Sequence, residues 1–411
     1  MLTAEIIAIG SELLTPTKTD TNSLWLTEKL DDIGIEVKLK TIVGDDRLRL
    51  EEAISDALKR SNVVITTGGL GPTADDITRQ CTAAAIGRDL VYRDDLEVHL
   101  RERFRSWGRE MPEINKRQAF IFEGAEILPN PNGSAVGMLA EIDGKFLIVL
   151  PGPPRENQPM FLDHVLGRLK AMAGEGFVKR RVLSVSGLGE SAVDEIAAPI
   201  YGAFPDVQTS ILFNKSEVQI HIAARSEIEI VASTSCDKLA DELIRAIGKA
   251  VFATHGETME AIVGEHLRRR GETIAVAESC TGGLIARRIT EVPGSSAYFL
   301  EGAVTYSNAA KIRTLGVSPT LLETHGAVSS QCAEAMAKGM RDYASSDHAV
   351  SVTGIAGPDG GTEDKPVGTV FIGYSGVKGT KSIRLHLPGD RYLIRWRTSQ
   401  AALDYVRRQV M

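Results

Sequence analysis

Three uninterrupted apolar runs, AEIIAIG, NVVITTGG and KFLIVLPGPP, each end in glycine or proline, and the segments between them carry helical spacing. A run of that kind without polar alternation reads as a strand buried on both faces, and such strands belong to parallel sheets covered by helices. After the first run, DTNSLWLTEKLDDIG places Leu24, Leu30 and Ile33 at helical spacing and stops at Gly34. IEVKLKTIV alternates like a strand, and DDRLRLEEAISDALKR is again helical. Strand, helix, strand, helix, strand predicts a doubly wound α/β domain over residues 1–170. Ligands of such folds sit beyond the carboxyl ends of the strands, which singles out the loops 68–76 and 151–156.

Near residue 170 this grammar changes, with AMAGEG as a linker. RRVLSVSGLGESAVDEIAAPI, the alternating EVQIHIAAR and the helical CDKLADELIRAIG predict a small α+β domain over 171–250. A third domain, 251–411, opens with the helix ETMEAIVGEHLRRRG and the strand TIAVAE, ends with the helix RYLIRWRTSQAALDYVRRQ, and reads as α/β. No short repeat period or low-complexity segment interrupts the pattern.

The chain has 411 residues, 43% of them hydrophobic and 25% charged, enough for more than one core. MLTAEIIAIG carries no basic segment ahead of its short apolar run, and no stretch is long enough to span a bilayer, so a cytoplasmic protein with no membrane partner is expected. Cys81, Cys236, Cys280 and Cys332 lie too far apart for a CxxC pair and read as reduced core thiols. The formal net charge of -7 argues against direct nucleic-acid binding, which rests on a basic surface, but leaves room for a small anionic ligand.

GGLGPTADDIT follows a buried strand and opens a helix, where backbone N–H groups can cradle a phosphate. Gly68, Gly69, Gly71 and Thr73 are the candidate ligand residues. The competing reading is a capping box in which Asp76 reaches back to Thr73. Asp45, Asp75, Asp76 and Glu156, with Asp46 beside them, are candidates for an oxygen-rich divalent cation site.

In the third domain AESCTGG, VTYSNAAK and VTGIAGPDGGTEDKPVGTV each begin as an apolar strand and end in small or hydroxyl residues, so that their ends can converge. Within these segments there is no GxSxG, SxxK or HExxH, and no histidine. Ser279 and Cys280 both stand as nucleophiles, with Tyr306 and Lys311 as the groups able to move a proton. A helix beginning near Thr281 would aim the N–H groups of Thr281, Gly282 and Gly283 at an oxyanion or phosphate. The structural alternative makes Ser279 an N-cap and Cys280 core filler. Asn308 can bond a ribose hydroxyl or cap its helix, the loop Thr353, Gly354, Ile355, Ala356, Gly357 suits close approach to a nucleotide, and Arg391 can meet a phosphate.

AEIIAIGSELL, DTNSLWLTEKL, GGLGPTADDITR, LPNPNGSAVG and LPGPPRE resemble the successive signatures of the molybdopterin-binding-type domain of the competence/damage-inducible protein A (CinA) family, and the third domain resembles that family's C-terminal domain. The resemblance implies a metal-dependent ADP-ribose pyrophosphatase in the first domain. In the third it implies an amidohydrolase that converts nicotinamide mononucleotide (NMN) to nicotinate mononucleotide and ammonia without a cofactor, with Ser279 as nucleophile. It also implies a homodimer and a KH-type middle domain. The KH loop here is Gly187-Leu188-Gly189-Glu190 followed by Asp194 and Glu195, whose charge would repel nucleic-acid phosphate. TPTKTD and PGPPREN depart from the family pattern near the first site. The competing functional class is a catalytically idle nucleotide-binding or regulatory protein acting in competence or DNA damage through protein partners.

Overall fold

The computed structural model describes residues 2–174 and 176–411, which fall into two compact units: residues up to Val178 with Arg225–Ala232, and Lys179–Ala224 with Ser233–Met411. In the first unit Thr3–Ile9 pairs in parallel with Glu36–Val43 and Val63–Thr67, and Val63–Thr67 pairs in parallel with Lys145–Leu150. The apolar runs are the reason: Ile6, Val64, Ile65, Leu147 and Ile148 are fully buried, each such burial stabilising by about 1.5–3 kcal/mol. Helices Asn22–Asp32 and Arg47–Arg60 bury Leu26 and Leu30, and Leu50 and Ile54, in two different cores of this unit. Two strands outside the sequence reading, Gly137–Ile142 and Glu126–Leu128, complete the six-stranded sheet in antiparallel sense. Gly137–Ile142 turns into Lys145–Leu150 at Asp143-Gly144, both at positive φ, as a two-residue turn of this kind requires.

The second unit holds two sheets. Val207–Asn214, Glu217–Ser226, Phe177–Ser186 and Val251–Ala253 form one, in that order, over a core that includes Leu183, Val185, Ile220 and Leu239. The alternation of EVQIHIAAR is realised as alternating burial along Glu217–Ser226. The segment expected as a separate middle domain thus has its own core, yet most of it joins the C-terminal residues in one unit. Of the AMAGEG linker, residue 175 lies outside the described residues, and helix Leu166–Ala173 runs into its first half.

The other sheet has the order Phe299–Val304, Ile274–Glu278, His348–Gly354, Thr369–Gly376, Gly379–His386, with the first three strands parallel and the last two antiparallel. Glu278 lies opposite both Val304 and Val352, so the three parallel strands end together. Helices Met259–Arg270 and Arg391–Val410 pack against this sheet through Met259, Val263, Leu267, Leu403 and Val406. Among the described residues no helix is long and apolar enough to cross a membrane.

Candidate active site

The common end of those three strands gathers the residues of AESCTGG, VTYSNAAK and VTGIAG. Ser279 leaves its strand held by its N–H to the Val352 carbonyl at 3.1 Å, and Thr305 leaves the neighbouring strand with its N–H on the Glu278 carbonyl at 2.8 Å. Lys311 lies one turn into the helix Asn308–Leu315, whose start is fixed by the Ser307 hydroxyl accepting from the Ala310 N–H. From there its side chain runs inward and is 1% exposed. Its Nζ meets Ser279 Oγ at 3.1 Å, the Thr305 carbonyl at 2.8 Å and the Tyr306 carbonyl at 3.2 Å. No carboxylate is among these partners. Burial therefore pushes the Lys311 amine below the usual lysine range, countered weakly by the thiols of Cys332 and Cys280.

A neutral lysine fits this cage. The two carbonyls accept its two N–H groups, and the remaining lone pair can take the Ser279 proton. Cys280, the rival nucleophile, is 6% exposed, and burial pushes its thiol up to about 12. At neutral pH it carries no thiolate, so the geometry separates two adjacent residues that the sequence leaves open. All four cysteines are free and buried.

The oxyanion donors differ from expectation. The helix starts at Leu284 rather than near Thr281, because Gly282 and Gly283 both take positive φ. Gly282 donates its N–H to the Ser279 carbonyl at 3.1 Å. The buried Glu278 carboxylate accepts the N–H groups of Gly283, Ile285 and Ala286 at 3.0, 3.2 and 2.9 Å. The chain's own carboxylate thus occupies the positive end of this helix, and the Thr281 N–H remains as the candidate donor.

Tyr306 is 59% exposed, and its backbone rather than its phenol meets Lys311. The phenol oxygen accepts from Arg391 Nη2 at 3.2 Å, while Arg391 Nη1 donates to the Gly357 carbonyl at 2.7 Å. Arg391 therefore ties the TGIAG loop to VTYSNAAK and stands at the rim of the site, where its charge can meet a phosphate. Asn308 is exposed, and the capping role it was offered belongs to Ser307. Thr353 turns its hydroxyl to the Ala327 carbonyl at 2.7 Å, so it braces the loop. Gly354, Ile355 and Ala356 continue that strand end, with the Ile355 N–H on the Thr369 carbonyl at 2.9 Å.

In the first unit the glycines of GGLG are explained by neighbours. A Cβ on Gly68 would lie 2.3 Å from the Ile9 carbonyl oxygen, and one on Gly69 would lie 2.1 Å from Thr78 Oγ1. Asp76 accepts from the Gly71 and Thr73 N–H groups at 2.8 and 2.9 Å and from the Thr73 hydroxyl, while the helix itself begins only at Thr78. Asp45 accepts from the Ser11 N–H, Glu156 accepts from Asn130, and the Thr73 hydroxyl holds the exposed Asp75 carboxyl below the usual carboxylate range. Asp45, Asp76 and Glu156 thus each accept from other groups while Asp75 is exposed, and among the described residues no group of three or more His, Cys, Asp or Glu side chains is placed to hold a metal ion. They do not fit a preformed cation site.

At the carboxyl ends of the parallel strands, where the loop 151–156 is expected to meet a ligand, lies a cavity of about 420 Å³ lined by Gly152 together with Ile9, Glu12, Asn22 and Thr67, which the sequence does not mark. The Nδ2 groups of Asn22 and Asn157 both donate to Thr67 Oγ1, each at 3.0 Å. Both amide oxygens are buried with no donor in the protein. Asn22 lines the cavity, and an unpaired acceptor at such a place suits a ligand with N–H or O–H groups.

Comparison with known proteins places both ends of the chain in known families. Residues 5–171 match the family described as "Probable molybdopterin binding domain", and residues 256–410 match "CinA C-terminal domain". A CinA-like protein of Koribacter versatilis is 47% identical over 99% of this chain and 100% of its own length. A CinA-like protein of Solibacter usitatus is 44% identical over 99% of this chain and 98% of its own length. With relatives aligned almost end to end and both terminal segments matched, the chain belongs to the CinA family.

Proposed function

We propose that the C-terminal site hydrolyses the carboxamide of NMN to nicotinate mononucleotide and ammonia. The observation that carries this reading is the buried 3.1 Å contact between Lys311 Nζ and Ser279 Oγ, with no carboxylate to hold the lysine charged. Neutral Lys311 takes the Ser279 proton as Oγ attacks the carboxamide carbon, and the tetrahedral oxyanion draws on the Thr281 N–H. Protonated Lys311 returns that proton to the leaving nitrogen, ammonia departs, and an acyl-serine remains. Water then attacks the acyl carbon, gives its proton to Lys311, and the product acid leaves as the Ser279 hydroxyl is restored. Arg391 at the rim is the candidate partner for the substrate phosphate. No cofactor enters this sequence. Ammonia release by the purified chain with NMN, compared with Ser279→Ala, tests the reading; an idle nucleotide-binding protein would release none.

For the first unit we propose a nucleotide ligand in the cavity beside Asn22 and Thr67, with ADP-ribose as the substrate to try. A homodimer in the cytoplasm completes the reading, and binding of ADP-ribose to the wild type and to Asn22→Leu tests its N-terminal part.

A further inference from the structure

A second polar cavity lies in the same unit as Ser279, behind the catalytic turn. It measures about 400 Å³, and its lining carries Lys215, Arg287, Arg288 and Arg395 against the single acid Glu291. Trp396 is the hub: Lys215 Nζ lies 4.2 Å and Arg288 Cζ 4.7 Å from its ring centroid.

The four cations are not equivalent. Arg287 is paired with Glu291 at 2.9 Å. Arg288 is 3% exposed and anchored to Glu260, Ser399 and Gln400, yet its Nε–H is buried with no acceptor in the protein. Lys215, at the exposed tip of the Val207–Asn214 to Glu217–Ser226 hairpin, and Arg395 make no ion pair among the described residues. Arg395 instead donates twice to the Thr281 carbonyl, at 3.2 and 2.6 Å. Excess positive charge around one cavity, with a buried donor without an acceptor on a lining residue, calls for an oxyanion rather than for packing.

We propose that this cavity binds a small phosphorylated ligand, with the phosphate held by Lys215 and Arg395. Arg391, the candidate partner for a substrate phosphate, is not among the residues that line this cavity. Since Arg395 also holds the Thr281 carbonyl, the anion and the catalytic turn share one guanidinium, and occupancy changes the order of residues 279–283. Binding is coupled to the Ser279 site through that shared group.

The test uses inorganic pyrophosphate and the full-length chain carrying Trp25→Phe and Trp107→Phe, which leaves Trp396 as the sole tryptophan. Pyrophosphate should shift Trp396 fluorescence saturably, and more weakly as salt rises. Lys215→Gln, at an exposed hairpin tip, should fold normally, keep basal turnover and weaken the anion about tenfold or more. Arg391→Gln should leave the affinity unchanged. Hydrogen exchange at the amides of residues 279–283 should respond to pyrophosphate in the parent and not in Lys215→Gln. No fluorescence change, equal affinity in Lys215→Gln, or loss of binding in Arg391→Gln would overturn the site, and unaltered exchange with the anion bound would overturn the coupling. Binding is read without turnover, so failure here is distinct from failure of the amidase reading.

Discussion

Lys311 Nζ stands 3.1 Å from Ser279 Oγ, and its other two partners, the carbonyls of Thr305 and Tyr306, can only accept. With no carboxylate among these partners and the amine buried, its pKa is lowered, and in the neutral form the nitrogen lone pair faces the Ser279 hydroxyl.

Turnover should therefore rise with pH as Lys311 loses its proton, with a midpoint below the usual lysine range, because burial lowers its pKa. Lys311→Arg should be inactive across the whole profile, since arginine stays protonated. The sign for stability is the same: between the folded and unfolded pKa values the unfolded chain binds more protons, so stability rises with pH through that window and levels off above it. A pH–rate profile with no basic limb would contradict the assignment.

Cys280 should be dispensable. Its thiol is buried and pushed up to about 12, so Cys280→Ala should retain most activity, and thiol-alkylating reagents should act slowly on the folded chain. Fast alkylation that tracks loss of turnover would reverse the roles of the two neighbours.

Glu278 should matter through the turn rather than through chemistry. Its carboxylate accepts three backbone N–H groups, so Glu278→Ala leaves buried donors unpaired and should destabilise the second unit by about 1–3 kcal/mol, seen as a lower midpoint in denaturant. Glu278→Gln should recover part of that loss. Equal stability of all three proteins would show that the helix start is held by something else.

Much of this site was legible in the sequence because strand ends are. TIAVAE, the strand before VTYSNAAK and the strand before VTGIAG are apolar runs that stop at small residues, and parallel pairing brings such ends together; that makes Ser279 and Cys280 candidates, the family resemblance favours Ser279, and Lys311 enters as a proton-moving group of VTYSNAAK. The helix start was not legible, because TGG reads as an N-terminus while the buried carboxylate that caps it lies several residues earlier. Glu278 reads as the last residue of a strand. The Tyr306 side chain was misplaced for a related reason: spacing puts residue and base near each other, but only the fold shows that the carbonyl faces Lys311 and the phenol faces Arg391. In the first unit the glycines looked like a phosphate cradle, whereas Gly68 and Gly69 answer to the approach of Ile9 and Thr78. The part played by Asn22 and Thr67 was hidden because the cavity lining comes from segments far apart in the chain, although DTN and LPGPP were both there to be read.

Asp76 and Asp75 separate capping from metal binding. Asp76 holds the Gly71 and Thr73 N–H groups, so Asp76→Ala should lower the stability of the first unit by about 0.5–2 kcal/mol, whereas Asp75→Ala should not. Added magnesium should leave the unfolding midpoints of both variants and of the wild type unchanged. A magnesium-dependent rise that either variant abolishes would restore the cation site.

The most direct measurement is ammonia release from NMN by the wild type, Ser279→Ala and Lys311→Ala, each checked for native folding. The wild type should turn over, and each variant should lose about 10³-fold or more. Wild-type turnover that survives Ser279→Ala would contradict the serine–lysine account.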